Sequence, residues 1–318
     1  IGPKWVLAFI AAYAVSTFTS ATIETHYLTH LGARANGDEN AVSYGMFNAT
    51  ITIMLFTYIT STLFKLKKSD IKSKYFFRTI TTLLILCAGA ASLLSGTKAA
   101  AILIPIAFAI ISMLAFPKKQ SSLILILIAT ISAGLTYTNQ DSNLVLRFKV
   151  VIPETIKYFQ TENSQTIKQS STGARLKQWK ESWCIFKIHP LLGTGPRSFK
   201  HAHQTYGGAG NCHTKQYLKQ GSYQAHSAIF NFISTTGMTG LTAYLLLFAY
   251  LARAATTSIN NPNPSTPLGG LLLIACVIAH LINGLTLDLW FRNHIMDKHL
   301  TVIALPLILI FNRLERQT

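Results

Sequence analysis

Eight runs of apolar residues, each close to the length of a membrane-spanning helix, dominate the sequence. Such a helix needs about 20 apolar residues, and some of these runs are shorter, so their ends are approximate. Half of the residues are hydrophobic and only 12% are charged, against about 25% in a soluble domain. The sequence therefore predicts an all-α polytopic membrane protein with about eight transmembrane helices. The predicted helices are 5–21, 43–64, 78–95, 99–116, 121–137, 226–252, 268–286 and 299–312.

The apolar runs divide the chain into three parts. We expect an N-terminal transmembrane bundle over 1–137, a long loop with short helices over 138–225, and C-terminal transmembrane helices over 226–318. The chain begins with Ile1 rather than Met, and its first apolar run lacks a signal-peptide cleavage pattern. We therefore expect an N-terminally truncated sequence, with further segments upstream.

Short basic connections predict the orientation of the helices. Segment 65–78 contains six Lys and Arg and one Asp, and 117–119, Arg253 and 313–316 fall on the same side if the helices alternate. Because Lys and Arg in short loops favour the cytoplasmic side, we expect these connections to be cytoplasmic. The long loop 138–225 then faces outward.

The formal net charge of +17 predicts an anionic partner. Nucleic acid is not the expected one, because the cations lie between apolar runs, where membrane lipids or a phosphorylated lipid substrate can reach them. The long loop alone contains twelve Lys and Arg against four Asp and Glu. Its charge does not contradict the predicted orientation, since long loops cross the membrane largely regardless of charge.

The four cysteines give no metal-binding spacing. Cys87 and Cys276 lie in apolar runs and are expected to be core residues. Cys184 and Cys212 both lie in the long loop, where they form either a disulfide or two free thiols. A disulfide requires an oxidising compartment.

Lys98 and Arg175 are two cations in unusual settings. Lys98 lies in "SGTKAA", a tight turn between two almost contiguous apolar runs. It is either a lysine whose amine reaches the interface or a phosphate-binding cation at the mouth of the bundle. Arg175 falls in the first turn of a predicted helix extending to Ile188, where a cation opposes the helix dipole. That placement indicates a reason other than helix stability.

The segment "HPLLGTGPRSF" follows that helix. Pro190 ends the helix, and Gly193 and Gly195 permit a tight turn with exposed backbone N–H groups. An ordinary loop turn is the alternative. Trp179 and Trp183 are expected to pack within the protein rather than stack on a sugar.

His226 and Asp288 complete the candidate residues at the outer surface. His226 opens an apolar run and is either structural or a proton acceptor, since imidazole changes charge near neutral pH. Asp288 ends another apolar run, where a carboxylate is costly unless it is paired or functional. It either forms a salt bridge with Arg292 or orients a functional residue.

These segments together resemble the O-antigen ligase family, within the superfamily that includes O-antigen polymerases and bacterial O-oligosaccharyltransferases. The resemblance covers roughly residues 34–312. It is carried in order by "GTKAA", "TGARLKQWKESWCIFKIHPLLGTGPRSF", "AHSAIF", "TGMTGL" and "LDLWFRN". The family generally has about a dozen spans, which fits the expected truncation.

The resemblance implies a reaction. A glycan would move from undecaprenyl pyrophosphate to lipid A-core at the periplasmic face of the bacterial inner membrane, by an inverting mechanism without metal or cofactor. The family's two arginines would correspond to Lys98 and Arg175, and its histidine to His226. Lys98 departs from the family pattern, because lysine lacks the planar fork of arginine.

Secondary contacts and rival functions stay open. Arg197 and Lys200 are expected to contact phosphate or glycan, and Asp288 and Arg292 to line the substrate site. A polymerase or a protein O-oligosaccharyltransferase would share the chemistry and differ in acceptor. A transporter would need charges along a midplane path, and His280 is nearly alone at a span centre. A purely structural scaffold would not need His226 with two cations.

Overall fold

The computed structural model is helical, with no strand in the part of the chain that it describes. It describes residues 3–28, 41–65, 71–118, 120–127, 130, 145–146, 149–160, 171–206, 224–260, 266–287 and 293–311. The helices are α1 (Pro3–Leu28), α2 (Ala41–Lys65), α3 (Ile71–Leu94), α4 (Lys98–Ala115), α5 (Val151–Gln160), α6 (Ser171–Ile188), α7 (Phe199–Tyr206), α8 (Ala228–Thr235), α9 (Gly237–Ile259), α10 (Thr266–Thr286) and α11 (Asn293–Phe311).

Within these residues, five helices are long and apolar enough to cross a membrane, namely α1, α2, α4, α9 and α10. Two shorter apolar stretches are Arg78–Leu94 in α3 and Leu300–Ile310 in α11. This confirms the prediction of an all-α polytopic membrane protein. The predicted span 121–137 lies partly outside the described residues, so the number eight stays a prediction.

The chain forms two compact units. The first comprises Ile1–Val145, Tyr250–Asn283 and Asp297–Thr318, and the second comprises Leu146–Ala249 and Gly284–Met296. The predicted division at 137 and 225 concerns membrane topology, which compactness does not test, and it stays a prediction.

Helix α2 is the most polar of the buried helices in the first unit. Asn48, Thr50, Thr52 and Thr57 are all buried along it. The three threonine hydroxyls donate to carbonyls one turn earlier, at 2.7–3.0 Å. Because each hydroxyl has a hydrogen-bond acceptor within its own helix, these polar groups can lie inside an apolar bundle. Their small side chains also let the helices pack closely.

A small-residue core joins α2, α4 and α10 within the first unit. Ala49 and Ile53 of α2 pack with four apolar residues of α4 and with Ala275 and Ala279 of α10. The Asn283 amide of α10 also donates to the Thr50 hydroxyl at 3.4 Å. Pro105 lies inside α4, as predicted, and is tolerated where neighbouring helices surround the freed carbonyl.

The second unit is built on α5 to α8 and the start of α9. Its apolar centre consists of Ile185 of α6, Phe199 and Ala202 of α7, and Ala225, all at most 1% exposed, with Phe230 of α8 packed against it. This small core fixes the C-terminal end of α6 to the starts of α7 and α8, and Lys200 and His226 lie at or beside those two starts.

The single span predicted over 226–252 is broken. Helix α8 ends at Thr235 and α9 begins at Gly237, which has a φ of +65°. That backbone conformation is open to glycine without steric cost. From the sequence, Gly237 and Gly240 allow either a break or close helix packing, and the structure has the break.

Candidate functional site

Arg175 is a partly buried cation near the start of α6. Burial lowers the pKa of its guanidinium from the usual value, because the charged form loses hydration. Among the described residues its side chain has no hydrogen bond or ion pair. A cation held in this state is suited to an incoming anion.

Helix α6 buries a polar face that the sequence did not reveal. Glu181 and Ser182 are at most 1% exposed, and Lys177 and Gln178 are 8% exposed. Lys177 Nζ lies 3.7 Å from Glu181 Oε1, which is an ion pair rather than a hydrogen bond. The spacing of Lys177 and Glu181, one helical turn apart, was the available signal. The second unit therefore has a charged interior beside Arg175.

Trp179 connects α6 to the segment before α8. It lies one turn after Arg175, its Nε1 donates to the Ala225 carbonyl at 3.1 Å, and its ring stacks on Phe230 with centroids 5.1 Å apart. Since Ala225 is next to His226, this anchor brings the Arg175 end of α6 close to the histidine. Trp179 packs as expected, whereas Trp183 is 49% exposed.

His226 has a strained backbone. Its φ is +52°, and Arg197, with φ +61°, is the only other non-glycine residue with a positive φ in the described part. His226 is partly exposed between buried Ala225 and Ser227, and the Ser227 hydroxyl donates to the Gly284 carbonyl at 3.3 Å. The anchors on both sides maintain the strained conformation. Strain of this kind concentrates at functional sites.

The N–H groups of the glycine turn after α6 are paired, so the expectation of exposed N–H groups is wrong and the ordinary loop turn is confirmed. The N–H of Gly193 donates to the His189 carbonyl at 3.1 Å. Those of Thr194 and Gly195 donate to the Ser234 and Thr235 carbonyls at 3.2 and 2.7 Å. The turn thus caps the C-terminal end of α8, whose last carbonyls have no partners within the helix.

Helix α9 completes the same junction. The N–H groups of Met238 and Thr239 donate to the Pro190 and Leu191 carbonyls at 2.8 and 3.2 Å. A methyl group on Gly237 would collide with the Leu191 backbone. We call the turn 190–195 and the break 234–239 together the glycine junction. It fixes α8, and with it His226, to the end of α6.

Arg197 and Lys200 lie just after the glycine junction. Arg197 is exposed, and Lys200 is partly buried in the first turn of α7. Phe199, between them, is buried in the core of the second unit. Phe199 therefore holds this segment in the same core as Ala225, the neighbour of His226.

Lys98 belongs to the first unit, where it is the first residue of α4 and partly buried. The turn before it is fixed to α2, because the Thr97 hydroxyl donates to the Ala41 carbonyl at 2.9 Å. The Ser95 hydroxyl donates to Thr97 Oγ1 at 2.8 Å, and Gly45 of α2 lies against both side chains. Lys98 therefore has a defined position.

The three predicted catalytic residues share one local feature. Lys98 opens α4, Arg175 is near the start of α6, and His226 directly precedes Ser227, the N-cap residue of α8. A helix N-terminus carries partial positive charge and unpaired N–H groups, which favour anions. Lys98 and His226 lie at such a terminus. Arg175 is the fifth residue of α6, so the expected position in the first turn is wrong, and its suitability for an anion rests on its own charge.

Several expectations fall outside the described residues. Asp288 and Arg292 lie there, so their roles as substrate contacts or as a salt bridge stay predictions. Cys184 is disulfide-bonded, and Cys87 and Cys276 are free thiols, whereas Cys212 is outside the described residues. No group of three or more His, Cys, Asp or Glu residues comes together among those described.

Comparison with known families gives a match over the middle of the chain. A family model described as O-antigen ligase matches residues 83–245, just over half of the chain. The matched range includes Lys98, Arg175, Arg197, Lys200 and His226. No curated protein matches the chain.

Proposed function

Because the chain belongs to the O-antigen ligase family, we propose that it is a glycosyltransferase acting at the periplasmic face of the bacterial inner membrane. It transfers a glycan from undecaprenyl pyrophosphate to lipid A-core, in lipopolysaccharide biosynthesis. The observation that carries this proposal is the matched range, which contains all three predicted catalytic residues. Eight transmembrane helices in this chain, with 138–225 as a periplasmic loop, are part of the same proposal.

The donor's pyrophosphate binds to the cations. Arg175 has no partner among the described side chains and is partly dehydrated, so a phosphate restores the interactions that its burial removed. Lys98 contributes a second positive charge, and Arg197 and Lys200 contact the outer phosphate or the glycan. These groups stabilise the negative charge that grows on the pyrophosphate as it leaves, which is usually the largest contribution to catalysis.

His226 acts on the acceptor. A sugar hydroxyl is a weak nucleophile, so Nδ1 or Nε2 of the imidazole removes its proton as the oxygen attacks the anomeric carbon. The new carbon–oxygen bond forms on the face opposite the phosphate, while the anomeric carbon–oxygen bond to pyrophosphate breaks. The products are the glycosylated acceptor with inverted anomeric configuration and undecaprenyl pyrophosphate, and the proton remains on His226. No metal or cofactor is required.

The disulfide at Cys184 supports the proposed location. Disulfides persist in oxidising compartments such as the bacterial periplasm and are rare in the cytosol. Because Cys184 is bonded, a periplasmic position for α6 fits its chemistry. The short basic connections at 65–78 and around Arg253 support the same orientation.

An in vitro assay tests the proposal. The purified chain, in detergent or vesicles, is given an undecaprenyl-pyrophosphate-linked glycan with lipid A-core, with a second lipid-linked glycan, or with a Ser/Thr-containing peptide. We expect product with lipid A-core in the presence of a metal chelator. Transfer only to the second glycan or only to the peptide would replace the ligase assignment with polymerase or protein glycosylation.

A further inference from the structure

The short helix α5 presents an unusual surface. Ile152, Ile156 and Phe159 are 69%, 50% and 73% exposed. Their spacing, four and three residues, places them in one stripe along the helix. Glu154 and Tyr158, on the other side of the helix, are partly buried. An isolated exposed apolar residue needs no explanation, but a continuous stripe on one helix indicates a surface with a partner.

Among the described residues of this segment, the exposed charges are positive. Lys149, just before the helix, and Lys157 are exposed, whereas Glu154 is on the partly buried side. The exposed part of α5 therefore combines an apolar stripe with Lys157, which lies about 100° around the helix from Ile156, and Lys149 precedes the helix. A helix of ten residues is about 15 Å long, which is too short to cross a bilayer of about 30 Å.

From this arrangement we propose that α5 is an interfacial helix, which lies in the headgroup region of the membrane and binds anionic phospholipid. The stripe enters the boundary of the acyl chains, and Lys149 and Lys157 contact lipid phosphates. The bilayer is the occupant because it supplies acyl chains to the stripe and phosphates to lysines beside it, and a long lysine side chain reaches the headgroups from the flank of such a helix. This inference goes beyond glycan transfer and does not depend on the proposed reaction.

The docked helix would hold the second unit at the lipid surface. Helix α5 packs on α6, which carries Arg175. Attachment of α5 to headgroups therefore restricts the distance of α6 from the membrane surface. A lipid-linked substrate presents its phosphate at that surface, but the docking itself is testable without any substrate.

Photocrosslinking of the full chain tests the proposal. Benzoylphenylalanine replaces Phe159 or, as the matched control, Thr205, an exposed polar residue of α7. Each protein is inserted into vesicles of phosphatidylethanolamine and phosphatidylglycerol and irradiated, and adducts are identified by mass spectrometry. We expect phospholipid adducts at position 159 and few or none at position 205. Equal yields at both positions, or adducts of position 159 with a second copy of the chain, would overturn it.

The charge requirement is tested with the same probe. Lys149→Gln combined with Lys157→Gln should lower the adduct yield at position 159 by up to about fivefold per lysine, the factor for about 1 kcal/mol at an anionic surface. Replacing phosphatidylglycerol by phosphatidylcholine should have the same effect on the chain that carries the probe at position 159 and keeps both lysines. An adduct yield that stays the same after the lysine substitutions and after the replacement of phosphatidylglycerol would contradict binding to anionic lipid. Both lysines are exposed, so the variants are expected to fold.

Discussion

At the scale of single residues, two candidate site residues have settings that reduce the free energy of folding. Arg175 is a cation near a helix N-terminus, partly buried and without a partner among the described side chains. His226 has a left-handed backbone that a residue with a side chain rarely adopts. Both features cost free energy in the unliganded protein. Functional sites commonly carry such costs, because charge and geometry are set for a ligand.

Arg175→Met should separate stability from function. The pKa of Arg175 is lowered in the folded state, so the charged guanidinium destabilises the fold at every pH below that pKa, which includes neutral pH. We expect an equal or higher melting temperature in detergent, together with a loss of transfer of about 10²-fold or more. Arg175→Lys should retain part of the activity. A lower melting temperature for Arg175→Met would show that Arg175 is mainly structural.

His226→Ala should remove the proton acceptor. We expect transfer to fall by about 10²–10⁴-fold, with the donor still bound, because the cations are unchanged. Single-turnover transfer and donor binding are measured on the same preparation. His201→Ala, an exposed histidine of α7, is the matched control and should retain full activity. Unchanged transfer in His226→Ala would exclude the proposed base.

At the scale of secondary-structure elements, the glycine junction determines where the site lies. The turn 190–195 and the break 234–239 exchange hydrogen bonds in both directions, so each element caps the other. The chain uses the N–H groups of its G-T-G segment for this purpose. The glycines are needed for close backbone approach, at Gly193 against Thr235 and at Gly237 against Leu191.

Gly237→Ala should loosen this junction. Alanine in the left-handed region costs about 1–2 kcal/mol, and its methyl group would also displace Leu191. We expect a lower melting temperature and weaker transfer, since α8 and His226 lose their support. Gly89→Ala in α3 is the control, because a methyl group there meets only ordinary van der Waals contact with Thr52. Equal melting temperatures for the two variants would contradict the proposed role.

At the scale of the whole molecule, the chain combines a membrane bundle with a charged unit stabilised by a disulfide. Five helices are suited to spanning a membrane among those described, and all belong wholly or partly to the first unit. The second unit holds Arg175, Arg197, Lys200, His226 and the bonded Cys184.

Peptide mapping without reduction should link Cys184 to Cys212, the remaining cysteine of the long loop. A disulfide that closes a loop of this size contributes about 2–4 kcal/mol. We therefore expect Cys184→Ser to lower the melting temperature, while Cys87→Ala, at a free thiol, leaves it nearly unchanged. Cells that cannot form periplasmic disulfides should yield the less stable form. A reduced Cys184 in protein from normal cells would contradict the proposed periplasmic location.

The sequence by itself determined the helical membrane architecture and the family. Both follow from local information, since apolar runs must form helices in lipid and motifs such as "HPLLGTG" are contiguous in the chain. Only the tertiary structure decided that the N–H groups of this motif are consumed by α8, that the run 226–252 is broken at Gly237, and that Lys177 and Glu181 are buried. These features depend on which segments contact one another in the folded chain, and the order of apolar and polar residues along the sequence does not specify those contacts.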